Sequence, residues 1–307
     1  MHLTATRLGR RLAATLLVGA AASTAALAQD DDLLNQLEQT PQTATPELVE
    51  ATFKGLRLIN GHTVQTPGQG TLAFLISHRF GALNSGAYNF FGLDQATLRL
   101  GFEYGLTDRL TVGIGRNSME KAFDGFLKYK ALRQSTGPRA VPVTVTLLAT
   151  SALNTLRITD NVERTFGRRL TYTYQALVAR KFSPDLSIQV MPTLVHRNLV
   201  SRATEPNDVY ALGVGGRQKL TKRTSLNLEY YYLVPATKPS DLRNSLAVGF
   251  DIETGGHVFQ LHLTNSQGMI EKQFITETRG NFFKGDLFFG FNMARNFTVR
   301  AKEGFRK

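Results

Sequence analysis

Apolar and polar residues alternate with a period of two along most of this chain, most clearly in residues 94–134. Between Asp94 and Leu106 the even-numbered positions are mostly apolar, and the odd-numbered positions are polar or glycine. Successive side chains of a β-strand point to opposite faces, so the pattern predicts strands with one apolar face and one polar face. Thr107-Asp108 forms a tight turn, and the same strand–turn–strand unit recurs to the end of the chain.

This alternation predicts twelve strands, which are connected alternately by short turns and by longer loops. The predicted strands span residues 70–81, 94–106, 109–116, 123–134, 141–152, 169–182, 186–198, 208–220, 224–234, 242–253, 257–267 and 282–293. Alternation alone also fits a soluble β-sandwich. However, most of these segments exceed the roughly 5–6 residues typical of soluble strands and match the roughly 9–11 that cross a bilayer at a tilt. The sequence therefore predicts an all-β fold, a closed antiparallel up-and-down transmembrane β-barrel of about 12 strands.

The aromatic residues and the chain ends agree with an outer-membrane barrel of a Gram-negative cell. Tyrosines lie on the apolar face near predicted strand ends, where the membrane interface is expected: Tyr172, Tyr174, Tyr210, Tyr230 and Tyr232. Residues 1–28 combine three arginines, an apolar run and a small-x-small site, which predicts a signal peptide cleaved after Ala28. We further expect a flexible periplasmic leader with a short β latch at 29–69, the transmembrane barrel at 70–301 and a C-terminal tail at 302–307. An even number of strands puts both termini on the periplasmic side.

Composition excludes several classes of protein. The chain has no cysteine, which rules out disulfides, thiolate metal sites and cysteine nucleophiles. The formal charge of +12 falls to about +9 once the three signal-peptide arginines are removed. The basic residues are scattered rather than clustered, so we expect no nucleic-acid partner. The expected partners are outer-membrane lipid and the export and barrel-assembly machinery.

Several motifs between His78 and Arg133 resemble an uncharacterised family of bacteroidete outer-membrane β-barrels, a domain-of-unknown-function family. The motifs are His78-Arg79-Phe80-Gly81, Phe91-Gly92-Leu93-Asp94, Glu103-Tyr104-Gly105-Leu106-Thr107-Asp108-Arg109-Leu110, Gly113-Ile114-Gly115-Arg116 and Asp124-Gly125-Phe126-Leu127-Lys128-Tyr129-Lys130. The resemblance implies a signal peptide followed by one barrel domain. It brings no catalytic residues. The terminal aromatic residue usual in such barrels is missing, because the chain ends Phe305-Arg306-Lys307.

If the polar face lines a lumen, its charges are candidate site residues. These are Arg99, Glu103, Asp124, Lys128, Lys130, Arg197, Arg217, Lys219, Glu229, Arg243 and Asp251, with Lys181 and Glu253 beside them. Basic groups outnumber acidic ones, which favours a small anionic solute. Glycines on this face are expected to widen the lumen locally: Gly101, Gly113, Gly115, Gly213, Gly215 and Gly249. A lumen packed with salt bridges that conducts nothing is the open alternative.

Three functions follow from this reading. The first is a porin-like channel for small solutes with a mildly basic lumen. The second is a non-conducting structural or docking barrel that acts through its extracellular loops, which a plug formed by residues 29–69 would support. The third is a membrane-embedded hydrolase, for which His262 with Asn265 and Ser266 is the closest set of residues. We expect neither enzymatic activity nor a cofactor. We also expect no bound metal, because no histidine pair has ligand spacing on one face of a strand.

Overall fold

The computed structural model describes residues 45–157, 159, 160, 162–200, 202, 205–254 and 257–300. The predicted signal peptide, residues 29–44 of the predicted leader and the predicted tail lie outside the described residues. Twelve antiparallel strands form one closed barrel. They are β1 (Thr71–Ala82), β2 (Ala96–Gly105), β3 (Leu110–Asn117), β4 (Phe123–Leu132), β5 (Thr144–Leu153), β6 (Leu170–Lys181), β7 (Leu186–Arg197), β8 (Asp208–Lys219), β9 (Thr224–Leu233), β10 (Ser245–Thr254), β11 (His257–Thr264) and β12 (Phe288–Thr298).

The remaining described elements are short. One α-helix, α1 (Glu271–Thr276), lies between β11 and β12. A two-stranded ribbon pairs Glu47–Leu48 with Ser135–Thr136. The 3₁₀ turns are Leu83–Ser85, Ala87–Gly92, Met119–Lys121, Gly167–Arg169, Pro235–Thr237 and Phe282–Lys284. Within the described part of the chain, no helix is both long and apolar enough to cross a lipid bilayer.

Each strand pairs with the next along the chain, and the last strand closes the sheet on the first. The β12–β1 register runs from Phe288↔Ala82 to Thr298↔Thr71, with a bulge between Phe288 and Gly290. This confirms the predicted closed antiparallel barrel. The predicted range of the last strand, 282–293, was wrong by several residues. Residues 282–284 form a 3₁₀ turn instead, because Asn281 caps it and the chain then turns at Gly285, whose φ is 83°.

The two ends of the barrel differ in their connections. Short turns follow β2, β6 and β8 at one end, which we call the turn end, and the longest connections lie at the opposite loop end. Three short turns use one device, in which a hydroxyl accepts hydrogen bonds from the backbone N–H groups two and three residues later. Thr107 accepts from Arg109 and Leu110 at 3.1 and 2.9 Å. Ser183 and Thr221 do the same in their turns.

The polar face of the sheet points inward and the apolar face points outward. On β9, Asn227 and Glu229 are buried, whereas Leu228, Tyr230 and Tyr232 are exposed. The predicted girdle tyrosines sit on the outward face, and all five lie towards the loop end of their strands. An exposed apolar band on a closed sheet is the arrangement that lipid requires.

Candidate functional site

A chain segment preceding β1 folds back on itself inside the barrel. We call residues 49–66 the internal hairpin. It follows the Glu47–Leu48 strand of the ribbon at the turn end. Arg57 and His62 face each other across it in a β-bridge. Its buried apolar side chains are Phe53, Leu56, Leu58, Ile59 and Val64.

Polar side chains from eight strands hold the hairpin. They are Arg79 on β1, Glu103 on β2, Lys128 on β4, Thr146 on β5, Gln189 on β7, Glu229 on β9, Gln260 on β11 and Asn292 on β12. A segment that touches strands all around a closed sheet must lie inside it. Several contacts are from wall amides to the hairpin backbone; Gln189 accepts from Val64 N at 2.9 Å and donates to His62 O at 2.8 Å. The wall therefore satisfies the backbone groups that burial of an irregular segment would otherwise leave unpaired.

Glu229 binds the tip of the hairpin. Its carboxylate accepts hydrogen bonds from the backbone N–H groups of Ile59 and Asn60, both at 3.2 Å, and of Gly61 at 3.0 Å. Consecutive N–H groups that converge on one anion form a nest. Glycine is required at the third position, since a Cβ on Gly61 would lie 2.3 Å from the Tyr231 hydroxyl oxygen.

The connection between β11 and β12 fills the barrel from the loop end. Phe274 and Ile275 of α1 are buried, and the Phe274 ring lies 5.1 Å from that of Tyr231. Gln273 Oε1 accepts from the Asn117 side chain on β3 at 2.7 Å. Glu271 extends toward the hairpin, with Oε1 3.1 Å from Arg57 Nη1. The hairpin and α1 therefore meet inside the barrel and together occupy much of its interior.

Burial controls the charge of the two titratable groups at this meeting point. Desolvation lowers the pKa of His62 well below its usual 6.5, and the nearby cations Arg57, Lys128 and Arg99 lower it further. Desolvation also raises the pKa of Glu271, although Arg57 offsets part of this rise. His62 is therefore neutral at pH 7, and its 3.6 Å approach to Glu271 is not an ion pair under those conditions.

The predicted lumen residues fall into an inward set and one outlier. Arg99, Glu103, Asp124, Lys128, Lys130, Arg197, Arg217, Lys219, Glu229 and Asp251 occupy inward positions on strands, whereas Arg243 is exposed in the connection before β10. Many of the inward groups are paired. Arg99 forms an ion pair with Asp124, and Arg217 Nη2 lies 3.4 Å from Glu253. That a solute passes these residues stays a prediction.

The glycines of the inward face make room for side chains and leave no open space at these positions. A Cβ on Gly215 would meet Leu58 of the hairpin at 2.1 Å, and one on Gly113 would meet Phe126 at 2.1 Å. The Arg99 guanidinium packs against both Gly101 and Gly115. The space beside these glycines is therefore occupied by other parts of the chain and does not widen an open lumen.

Sequence reasoning missed the residues that join the internal segments to each other and to the wall. Arg57, His62 and Glu271 lie outside the alternating strands, so the period-two pattern gave no signal for them. Arg79 follows the pattern and was not chosen, although its guanidinium donates to the Asn60 side chain at 2.8 Å. The available signal in the sequence was an arginine on the polar, inward face of a predicted strand.

The candidate hydrolase residues are not assembled for catalysis. Asn265 holds loops together, since it accepts from Leu246 N and donates to the carbonyls of Asn244 and Gly280. Among the described residues, neither ring nitrogen of buried His262 has a hydrogen-bond partner. The nucleophile–base contact with Ser266 that a hydrolase needs is therefore not formed.

The closed sheet, its apolar outer face and its polar inner face define a transmembrane β-barrel. The chain belongs to the family of membrane-bound β-barrel domains termed DUF5777, whose sequence profile matches residues 53–297. This confirms the resemblance to a domain-of-unknown-function family. The match begins at Phe53, so it includes most of the internal hairpin. A membrane-bound barrel of this architecture supports an outer-membrane location.

Solved barrels of other proteins resemble this one in outline. The NanC porin has a TM-score of 0.45 and 8% identity, covering 73% of this chain and 97% of its own. An outer membrane channel from Pseudomonas putida F1 has a TM-score of 0.40 and 15% identity, covering 76% and 97%. The CymD monoaromatic hydrocarbon channel has a TM-score of 0.36 and 9% identity, covering 77% and 90%. Similarity this low transfers no residue role to this chain. No curated protein matches the sequence.

Proposed function

We propose that this protein is a porin-like channel of the outer membrane, closed in this structure by the internal hairpin and α1. Displacement of the hairpin would open it for small solutes. The observation that carries the proposal is that a separate chain segment fills much of the lumen. Barrels of about 8 strands are filled by wall side chains, and those of about 16 leave an aqueous channel. Twelve strands leave intermediate room, which the hairpin occupies here.

The route of the hairpin favours a displaceable plug. It is preceded by the ribbon at the turn end and leads into β1 at that same end, so it could leave without being threaded through the barrel. The hairpin is not a strand of the closed sheet, so its departure would leave the hydrogen bonds between all neighbouring barrel strands intact. The turn end also carries both ends of the sheet, which we place on the periplasmic side.

The wall charges set the expected selectivity of the opened barrel. Inward basic residues on the strands outnumber inward acidic ones among the candidates described above, and the hairpin shields several of them in the closed state. Once it leaves, Lys128 loses its contact with the Gln65 carbonyl and Arg79 loses Asn60. We therefore propose a mild preference for anions.

The test is ion conductance in a planar bilayer, with folding checked first by heat-dependent gel mobility and circular dichroism. Three proteins are compared: the mature chain, a variant with residues 49–66 replaced by an equally long Gly/Ser linker, and Glu229→Gln. The linker variant should conduct continuously under a KCl gradient, with a reversal potential displaced toward that of chloride. Glu229→Gln presents an NH₂ donor to the nest, which costs about 1–3 kcal/mol and should raise the ratio of open to closed states roughly 5- to 150-fold. Glu163→Gln is the control, since this exposed carboxylate lies in the connection after β5, at the loop end of the barrel.

One observation favours the non-conducting docking barrel. The hairpin and α1 contact each other through the buried Arg57–Glu271 pair, so the lumen is filled from both ends. If the linker variant folds but stays silent, the channel proposal is wrong and the docking barrel becomes the better reading. Conductance by the linker variant would exclude a purely structural barrel.

A further inference from the structure

A cavity of about 390 Å³ opens at the loop end, above α1. The connections that follow β3, β5, β7 and β9 form its walls, α1 contributes Lys272 and Thr276 to its floor, and Glu277 follows directly after α1. Sites for small molecules usually measure about 300–1,000 Å³. None of its lining residues belongs to the internal hairpin, so the cavity is separate from the place where the hairpin binds.

Every carboxylate that lines the cavity has a basic partner. Asp160 pairs with Arg164, Glu205 with Arg197 at 3.4 Å, Asp241 with Arg279 at 3.3 Å, and Glu120 and Glu277 with Lys272 at 2.5 and 2.8 Å. Burial alone would lower the pKa of Lys272, but these two carboxylates outweigh that effect and raise it. Lys272 is shared by two carboxylates, so the balance of charge depends on the whole lining, in which six basic side chains face five acidic ones.

Two arginines in the lining have no such partner. Arg168 and Arg169 are consecutive on the 3₁₀ turn Gly167–Arg169, and no carboxylate among the described residues pairs with either. The Arg164 carbonyl accepts from Arg169 Nε at 2.9 Å, which fixes the side chain and leaves its terminal nitrogens to a ligand. Guanidinium groups bind carboxylates and phosphates in a two-point fork.

Apolar side chains in the lining favour an organic carboxylate over an inorganic anion. Val162, Leu199, Val200 and Leu242 line the same cavity, beside the hydroxyl-bearing Thr171. They can cover a carbon skeleton, which an inorganic ion lacks. We infer that this cavity binds a small organic acid, with its carboxylate on Arg168 and Arg169 and its carbon skeleton against the apolar residues. The site stands whether or not the barrel conducts, so it does not depend on the channel proposal.

The test is isothermal titration calorimetry on the refolded mature chain in detergent. Gluconate and sorbitol are matched probes, because both are six-carbon polyols and only gluconate carries a carboxylate. Citrate and inorganic phosphate extend the series. Gluconate and citrate should bind, and sorbitol should not. Gluconate affinity should fall as salt is raised, because exposed charges are screened.

Two variants assign the binding to the arginine pair. Arg168→Ala with Arg169→Ala should weaken gluconate binding about tenfold or more. Arg168→Lys with Arg169→Lys keeps the charge and loses the fork, so its loss should be smaller. Arg223→Ala, in the turn after β8 at the opposite end, is the control and should bind like the native chain. All variants are first shown to fold by gel mobility.

Several results would overturn the inference. Equal binding of sorbitol would show that the carboxylate is not recognised. Unchanged gluconate affinity in the folded double-alanine variant would remove the role of the arginines. Binding of phosphate without binding of either organic acid would assign the site to an inorganic anion. These results come from equilibrium binding, so they are separate from the conductance outcome.

Discussion

Arg57 of the internal hairpin and Glu271 of α1 are joined inside the barrel, with Nη1 3.1 Å from Oε1. They lie 214 residues apart in the chain and belong to segments that fill the barrel from opposite ends. Arg57 Nη2 is also 3.6 Å from Glu103 on the wall. One buried guanidinium therefore links the hairpin, α1 and the sheet, and the hairpin cannot leave without separating it from both carboxylates.

The first prediction concerns this link. Arg57→Met and Glu271→Met should each destabilise the barrel by about 3 kcal/mol, because each leaves a buried charge without its partner. The double variant should cost clearly less than the sum of the two. Guanidinium chloride unfolding followed by circular dichroism measures all three changes. Lys219→Met is the control, since the half-exposed Lys219–Asp185 pair at 4.0 Å should contribute under about 1 kcal/mol. Additive costs for Arg57 and Glu271 would show that they are not coupled.

The wall of the barrel was predictable from sequence because its rule is local. Each strand needs only an alternation between neighbouring residues, and turns such as Thr107-Asp108 are set by hydroxyl groups within the turn. The last strand was misplaced because Phe282 and Phe283 look like strand residues. In the structure they belong to a 3₁₀ turn, which Asn281 caps at its start and which ends at Gly285.

The closed lumen was less predictable because it depends on distant parts of the chain. Leu58 is buried where Gly215 on β8 leaves space for it, and nothing near either residue in the sequence indicates the match. Glu229 lies at an inward strand position, yet its role as the acceptor for a nest at Ile59–Gly61 could be recognised only from the fold. A plug formed by residues 29–69 was one of the predicted alternatives, but the side chains that bind it were not identified.

The second prediction concerns the fit of the hairpin tip. Gly61→Ala should displace the tip and raise the open probability about tenfold, because the new Cβ would lie 2.3 Å from the Tyr231 hydroxyl oxygen. Tyr231→Phe removes that oxygen, and the next ring atom lies 3.3 Å away. The double variant should therefore close again. Single-channel recording measures each step. Gly216→Ala is the control, since its nearest neighbour would be 3.4 Å away. If Gly61→Ala stays as closed as the native chain, the nest does not hold the plug.

The third prediction uses the absence of native cysteine. Cysteines at Leu58 and Gly215 should form a disulfide, because Leu58 Cγ lies 3.6 Å from the position of a Cβ on Gly215, within about 1 Å of disulfide geometry. In the Glu229→Gln background, oxidation should abolish the openings and a reductant should restore them. The two single-cysteine variants should respond to neither treatment. Openings that persist in the oxidised, fully cross-linked protein would show that ions bypass the hairpin.

Two groups at the meeting point of the hairpin and α1 respond to pH in opposite directions. His62 has a depressed pKa in the closed state and regains its usual value of about 6.5 when the hairpin is released. Acidification below that value protonates the released state preferentially and favours it. Glu271 has a raised pKa in the closed state, so acid protonates it there first and stabilises closure. The effect of His62 and the opposite effect of Glu271 both act between pH 4.5 and 6.5, the usual pKa values of glutamate and histidine.

The fourth prediction separates these effects with Glu271→Gln, which cannot titrate. In that background the contribution of His62 is no longer opposed by Glu271, and it should raise the ratio of open to closed states by up to about tenfold for each pH unit below 6.5. The rise should continue until the pH reaches the lowered pKa of His62 in the closed state. Adding His62→Asn should remove this contribution, so the ratio should depend less steeply on pH over this window. Open probability recorded in bilayers between about pH 7 and 5 measures both variants. A rise that is equally steep in the His62→Asn variant would place the proton elsewhere, whereas a flat response in Glu271→Gln would show that His62 stays buried when the channel opens.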